Sequence, residues 1–250
     1  MRMTAASLSK ESLVNLLTTL VTTTPSLRPL VTSLLPAPTL SATLSTLAHL
    51  ERKVLNAIPA GGAVREDYIW GRVRLPLEEY LSESRGFLNA FCGSNTANRN
   101  STEDEIGHPS TTFAFLYALT SSLRRLEASL PPLPSLLLTP NYPIEKRYSQ
   151  DLLTTHLLPL LINHWQRFLT GLSMQVNSEG RILSGEVLRG WLKRLEELCV
   201  ESPGVREGTR REGGARKACE GVRDRLKRDL GWLIGVKAEP EEEEMDEEEL

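Results

Sequence analysis

The sequence has few of the features that hold secreted or membrane-spanning proteins together. Its three cysteines, Cys92, Cys199 and Cys219, are an odd and widely spaced set in 250 residues, which argues against a disulfide scaffold and favours a reducing compartment. The longest apolar run is LLPLLI at 157–162, far short of the about 20 residues of a membrane span. No secretory signal is visible at the N-terminus. A chain of this length can form one or two domains and bury a core without disulfides or metal.

Signatures of catalysis are also scarce. The sequence contains no G-x-S-x-G, no phosphate-binding glycine loop and no H-E-x-x-H, the patterns that mark common active sites. His156 and His164 are eight residues apart, whereas zinc ligands are usually about two to five residues apart. Cys199 and Cys219 fall on apolar helical stripes, where thiols act as small hydrophobic groups. We therefore expect no catalytic, cofactor-binding or metal-binding residue, and a protein that is not an enzyme.

Charge is distributed unevenly along the chain. Residues 239–250, EPEEEEMDEEEL, hold nine of the 32 acidic residues and no base. The remaining 29 bases therefore face 23 acids, which gives residues 1–238 a net charge of about +6. A block of like charges repels itself and resists folding, so residues 236–250 are predicted to be a disordered acidic tail. It could be a solubilising tail, an interaction tail or an intramolecular cover for a basic surface.

The hydrophobic pattern predicts an all-α protein. Alternating strand patterns are nearly absent, and apolar residues recur at helical spacing in about seven or eight segments separated by proline and glycine. No repeat period is visible, which favours a helical bundle. Ser9 and Thr39 are predicted to cap helices, and Thr24-Pro25 to end the first one. Trp165 and Trp191 lie on apolar stripes and are predicted to be buried on facing helices of one core.

A basic stretch follows the last of the long apolar stripes. Residues 206–228 hold nine Lys or Arg and four acids, a density that can bind phosphates, nucleic acid or a membrane surface. The favoured alternative is a solvated helix with i, i+4 ion pairs, in which Glu220 and Asp224 face Arg216 and Arg228. No aromatic residues are interleaved with the bases, so no nucleic-acid partner is expected. The residues of a possible anionic-partner patch are Arg206, Arg210, Arg211, Arg216 and Lys217.

Six stretches together resemble one protein family, the fungal tethering factors for the nuclear proteasome. None of them is a catalytic signature, but they span nearly the whole chain in the expected order. They are PSLRPLVTSLLPAPTL (25–40), RKVLNAIP (52–59), DYIWGRVRLPLEEY (67–80), HPSTTFAFLYALTSSLRRLEASLPPLPS (108–135), LLINHWQRFLTGLSMQVNSEGRILSGEVLRGWLKRLEELC (160–199) and VRDRLKRDLGWLIG (222–235).

The resemblance implies a non-enzymatic adaptor that targets 26S proteasomes to the nucleus and supports ubiquitin-dependent degradation of nuclear proteins. It implies a dimer, with an N-terminal helical dimerisation region (1–60) followed by a six-helix bundle similar to 14-3-3 proteins (61–235). It also implies membrane-lipid contact at the nuclear envelope, and a location in nucleus and cytoplasm. The residues expected at the dimer interface are apolar and lie in the first two helical segments: Leu13, Leu16, Leu17, Leu20, Leu30 and Leu34.

The chain departs from the family pattern at its start. Family members carry a Lys/Arg-rich segment with the nuclear import signal ahead of the dimerisation helices, whereas here only Arg2 and Lys10 precede Arg28. The chain is therefore expected to be truncated or to enter the nucleus by another route, and an importin interaction is doubtful. The alternative to a proteasome tether is a peripheral membrane- or phospholigand-binding helical module without a proteasome role.

Overall fold

The computed structural model describes residues 9–27, 30–31, 38–59, 66–93, 108–130, 152–200 and 214–236. Those residues form seven α-helices and no strand, which confirms the all-α prediction. None of the helices in these ranges combines the length and the apolar character needed to cross a membrane. The contacts divide the chain into two compact units, Met1–Pro38 and Thr39–Leu250.

The first unit contains helix α1, Lys10–Thr23. Ser9 caps it as predicted, because its hydroxyl accepts a hydrogen bond from the Ser12 N–H at 3.2 Å. The helix ends at the residue before Thr24-Pro25, also as predicted, and a 3-10 turn follows at Pro25–Leu27.

The second unit is a bundle of six α-helices within the described ranges. Thr39 caps the first of them, as predicted, by accepting a hydrogen bond from the Ala42 N–H at 3.3 Å. A π-helical turn, Leu152–Leu157, leads into α5, and a 3-10 turn, Gly231–Ile234, follows α7. The helices are α2 (Leu40–Ala57), α3 (Glu66–Cys92), α4 (Pro109–Ser129), α5 (Leu158–Asn177), α6 (Gly185–Cys199) and α7 (Gly214–Leu230).

Helix α2 belongs to the bundle by its packing. It contacts both α3 and α4, and Leu47, Leu50 and Val54 are buried in the common core. The sequence placed this helix with the dimerisation region, which it bounded at residue 60, whereas the contacts divide the chain after Pro38. A role of α2 in dimerisation stays a prediction, as does the likeness of the bundle to 14-3-3 proteins.

Helix α4 is the centre of the bundle, since it contacts each of the five other helices. The Phe113 ring stacks on Trp191 of α6 at 4.5 Å between centroids and meets Trp165 of α5 edge-on at 5.6 Å. Trp165 also donates a hydrogen bond to Thr120 at 3.0 Å. Both tryptophans are buried, which confirms the prediction that they face one core.

Candidate interaction surfaces

The apolar face of α1 is exposed in the first unit. The side chains of Leu16 and Leu20 are 52% and 40% exposed, and Val14 and Leu17 are exposed as well. Leu13 is half-buried. A helix of 14 residues is only marginally stable alone in water, and a contiguous apolar face is the usual mark of an interaction surface. The sequence-predicted stripe is therefore available for a partner.

The two other residues predicted at the dimer interface follow α1. Leu30 is 55% exposed. Leu34 lies outside the described residues. The structure thus places four of the predicted interface residues on α1 and one after it.

The predicted anionic-partner patch is described only at its C-terminal end. Arg206, Arg210 and Arg211 lie outside the described residues. Arg216 and Lys217 lie near the start of α7. Arg216 pairs with Glu220, with 3.0 Å between Nε and Oε1, whereas Lys217 is exposed.

The ion pairs of α7 match the predicted pattern only in part. The pair of Arg216 with Glu220 is at the expected i, i+4 spacing. Asp224, however, pairs with its neighbour Arg223 at 2.7 Å, and Arg228 lies 3.8 Å from Asp229. The expected pairing of Asp224 with Arg228 at i, i+4 spacing stays a prediction.

A buried carboxylate links α2 to α4. The Glu51 side chain, 9% exposed, accepts two hydrogen bonds from the Arg125 guanidinium, at 2.6 and 2.8 Å. Tyr80 of α3 donates to Ser122 at 2.9 Å. Burial raises the pKa of Glu51, but Arg125 and the nearby Ser122 hydroxyl outweigh it and hold the pKa below its ordinary value. One signal of this pair is visible in the sequence, a glutamate at a core position of an apolar stripe.

Arg124 joins α4 to the end of α6. Its guanidinium donates to the Leu198 carbonyl and, at 2.9 Å, to the Val200 carbonyl. The last carbonyls of a helix have no partner within the helix, so this arginine satisfies backbone groups that water would otherwise bind. Sequence reasoning missed this role, because nothing local to Arg124 indicates a contact with α6.

The residues considered for chemistry are in settings that suppress reactivity. Burial raises the pKa of Cys92 and of Cys219 to about 12 and also raises that of Cys199, so the reactive thiolate is disfavoured. Burial, with Arg167 nearby, lowers the pKa of His164. Within the described ranges no three His, Cys, Asp or Glu side chains are grouped so that they could hold a metal ion.

An exposed tryptophan marks the C-terminal end of the bundle. Trp232 is 61% exposed, and its indole N–H donates to Asn177 of α5 at 3.2 Å. Sequence reasoning did not single it out, although Gly231 after the last leucine of α7 could have indicated that the helix stops and that Trp232 leaves its apolar stripe.

These features define a class of protein, a helical bundle preceded by a separate helix with an exposed apolar face. The chain belongs to the Cut8 family of nuclear proteasome tether proteins, since the family model matches residues 4–128, half of the chain. The match runs through α1, α2, α3 and all but the last residue of α4. The resemblance noted for residues 160–199 and 222–235 lies outside it and stays a prediction.

Three curated relatives, each from a different fungus, share one name. A protein of Pyrenophora teres f. teres (strain 0-1), named tethering factor for nuclear proteasome sts1, is 30% identical over 120 residues, 48% of this chain and 36% of that protein. Proteins named in the same way in Pyrenophora tritici-repentis (strain Pt-1C-BFP) and Phaeosphaeria nodorum (strain SN15) are 29% identical over the same shares. The chain thus matches little more than a third of the length of these relatives. No solved structure gives a significant match.

Proposed function

We propose that this protein is a non-enzymatic adaptor that tethers 26S proteasomes in the nucleus and supports ubiquitin-dependent degradation of nuclear proteins. The observation that carries this proposal is membership of the nuclear proteasome tether family over residues 4–128. The names of the curated relatives point the same way. An adaptor has no need of a reactive group, and the buried thiols described above fit that role.

The adaptor is proposed to act as a homodimer through α1. Leu16, Leu17 and Leu20 expose an apolar face that a second copy of the same helix would cover, and burial of apolar area is the main favourable term in association. A two-headed tether also gains avidity, because the second contact becomes intramolecular once the first has formed.

Oligomeric state tests the dimer directly. Leu16→Asp combined with Leu20→Asp places two charges on the apolar face and should give monomers in sedimentation, with the helical content of the bundle unchanged. Thr18→Asp with Thr22→Asp is the matched control, since it adds the same charges at the same spacing on exposed polar positions. This control should stay dimeric. A wild-type monomer at micromolar concentration would contradict the dimer.

Proteasome capture tests the tether. The tagged chain should recover proteasome subunits from a fungal nuclear extract, and the monomeric variant should recover fewer because avidity is lost. Liposome or phospholigand binding without proteasome recovery would instead support the alternative module, which the comparisons do not favour. Nuclear location is measured in the same cells with a fluorescent fusion, which should enrich proteasomes in the nucleus.

A further inference from the structure

Helix α7 is the most basic helix of the bundle for its length. Its 17 residues hold six bases and three acids, which gives the helix a net charge of +3. Three of its charged side chains are exposed, Lys217, Asp224 and Arg228. The charged residues are Arg216, Lys217, Arg223, Arg225, Lys227 and Arg228, with Glu220, Asp224 and Asp229.

The ion pairs within α7 leave this surface able to take an anionic ligand. The pair of Arg216 with Glu220 spans 3.0 Å at i, i+4 spacing and is half-exposed, and such pairs contribute little to stability. It can therefore exchange partners at low cost. The pair of Arg225 with Asp229, at 3.3 Å, is more buried, and Arg225 also donates to Thr170 of α5 at 2.7 Å, so this pair stays in place. Lys217 has no carboxylate within ion-pair distance among the described residues. Gly221, between Lys217 and Arg228 on the exposed side, leaves the helix surface open, since a Cβ there would meet nothing within 4 Å.

The chain itself supplies a matching anion next to α7. The 3-10 turn Gly231–Ile234 ends α7, and the Val236 N–H bonds back to the Gly231 carbonyl at 3.0 Å. Three residues later begins the acidic segment, residues 239–250, with nine acids and no base. An extended segment of twelve residues reaches about 40 Å, and α7 is about 26 Å long. The segment can therefore run along the whole helix.

We propose that the acidic segment 239–250 docks on the exposed basic side of α7 in the same chain. Charge complementarity supports this contact, because the segment is strongly negative and α7, the helix that precedes it in the chain, is basic. The covalent connection keeps the segment at a millimolar effective concentration. The segment competes with any anionic ligand for Lys217 and its neighbours, so α7 is partly covered until a ligand displaces it. The contact is independent of the proposed tether function.

Zero-length carbodiimide cross-linking of the full chain tests the contact, because it joins carboxylates to lysines that touch them. Lys217 and Lys227 report on the two ends of α7, and Lys53 of α2 and Lys193 of α6 are the reference lysines. We expect cross-links from residues 239–250 to Lys217 or Lys227 to be several-fold more frequent than to Lys53 or Lys193. They should be lost in 1 M salt, where the Debye length falls to about 3 Å.

Two variants and a mixture of isotope-labelled and unlabelled protein test the contact further. The docked segment should protect Lys217 from acetylation. Replacing the nine acids of the segment with Gln and Asn should abolish this protection, whereas scrambling the order of residues 239–250 should preserve both protection and cross-links. In a mixture of ¹⁵N-labelled and unlabelled protein, the cross-linked peptides should come from one copy. Cross-links spread evenly over the four lysines, cross-links absent at low salt, or cross-links joining labelled to unlabelled copies would each overturn the proposal.

Discussion

Replacing Glu51 with glutamine tests how α2 is held on the bundle. The Glu51 carboxylate is almost fully buried and accepts two hydrogen bonds from Arg125, whose own side chain is 55% exposed. Glu51→Gln keeps the shape of the side chain and removes its charge. Arg125→Met instead keeps the charge of Glu51 and leaves its buried carboxylate without its main partner.

The size of each effect follows from the exposure of the two groups. Removing one partner of a fully buried ion pair costs about 3–5 kcal/mol, and solvent at the half-exposed Arg125 reduces that figure. We expect Arg125→Met to lower the free energy of unfolding by about 2–3 kcal/mol, and Glu51→Gln by about 1–2 kcal/mol, since a hydrogen bond to a charged group is lost. Glu79→Gln is the matched control. Its exposed pair with Lys53 also joins two helices, and its loss should cost less than about 1 kcal/mol.

The pH dependence gives a second, sharper measurement. The pKa of Glu51 lies below its ordinary value of 4.5 in the folded protein. A carboxyl group with a lowered folded pKa contributes stability that is complete above the unfolded pKa and is lost as the pH falls through the folded pKa. The stability gap between wild type and Glu51→Gln should therefore be constant from pH 7 down to about pH 5 and close at lower pH.

Urea unfolding followed by circular dichroism at several pH values measures both quantities. The m-value should not change, because the surface exposed on unfolding is the same. If Glu51→Gln cost no more than Glu79→Gln, or if the gap between wild type and Glu51→Gln did not close in acid, the buried pair would not be what holds α2 on α4.

Further changes test the core, the helix surfaces and the thiols. Trp191→Ala should cost about 3–5 kcal/mol in urea unfolding, and Trp232→Ala less than about 1 kcal/mol, since Trp191 is 5% and Trp232 61% exposed; equal losses would contradict the core assignment. Gly221→Ala should raise the free energy of unfolding by about 0.5–1 kcal/mol, and with it the melting temperature, because a Cβ meets nothing there. Gly180→Ala should lower the melting temperature, because Gly180 has φ +69°. Cys219, buried and with its pKa raised to about 12, should resist iodoacetamide at pH 8 until urea unfolds the protein; rapid labelling of the native protein would refute its burial.

Local features of the fold could be predicted from the sequence because they depend on neighbours in the chain. The caps at Ser9 and Thr39 and the end of α1 before Pro25 follow from side-chain and backbone chemistry within a few residues. The burial of Trp165 and Trp191 follows from helical spacing of apolar residues, which marks the face that must leave water. The all-α class follows from the same spacing repeated along the chain.

The tertiary structure decided which faces and charges meet. Spacing shows that α1 and α2 each have an apolar face, but it does not show what covers that face: α2 packs on α3 and α4, whereas Leu16 of α1 is left exposed. The partners Glu51 and Arg125 are 74 residues apart, and their contact depends on how three helices pack. Periodicity is a property of one helix, whereas burial of a charge is a property of all the helices around it. Only the packed bundle therefore shows that Glu51 and Arg125 pair.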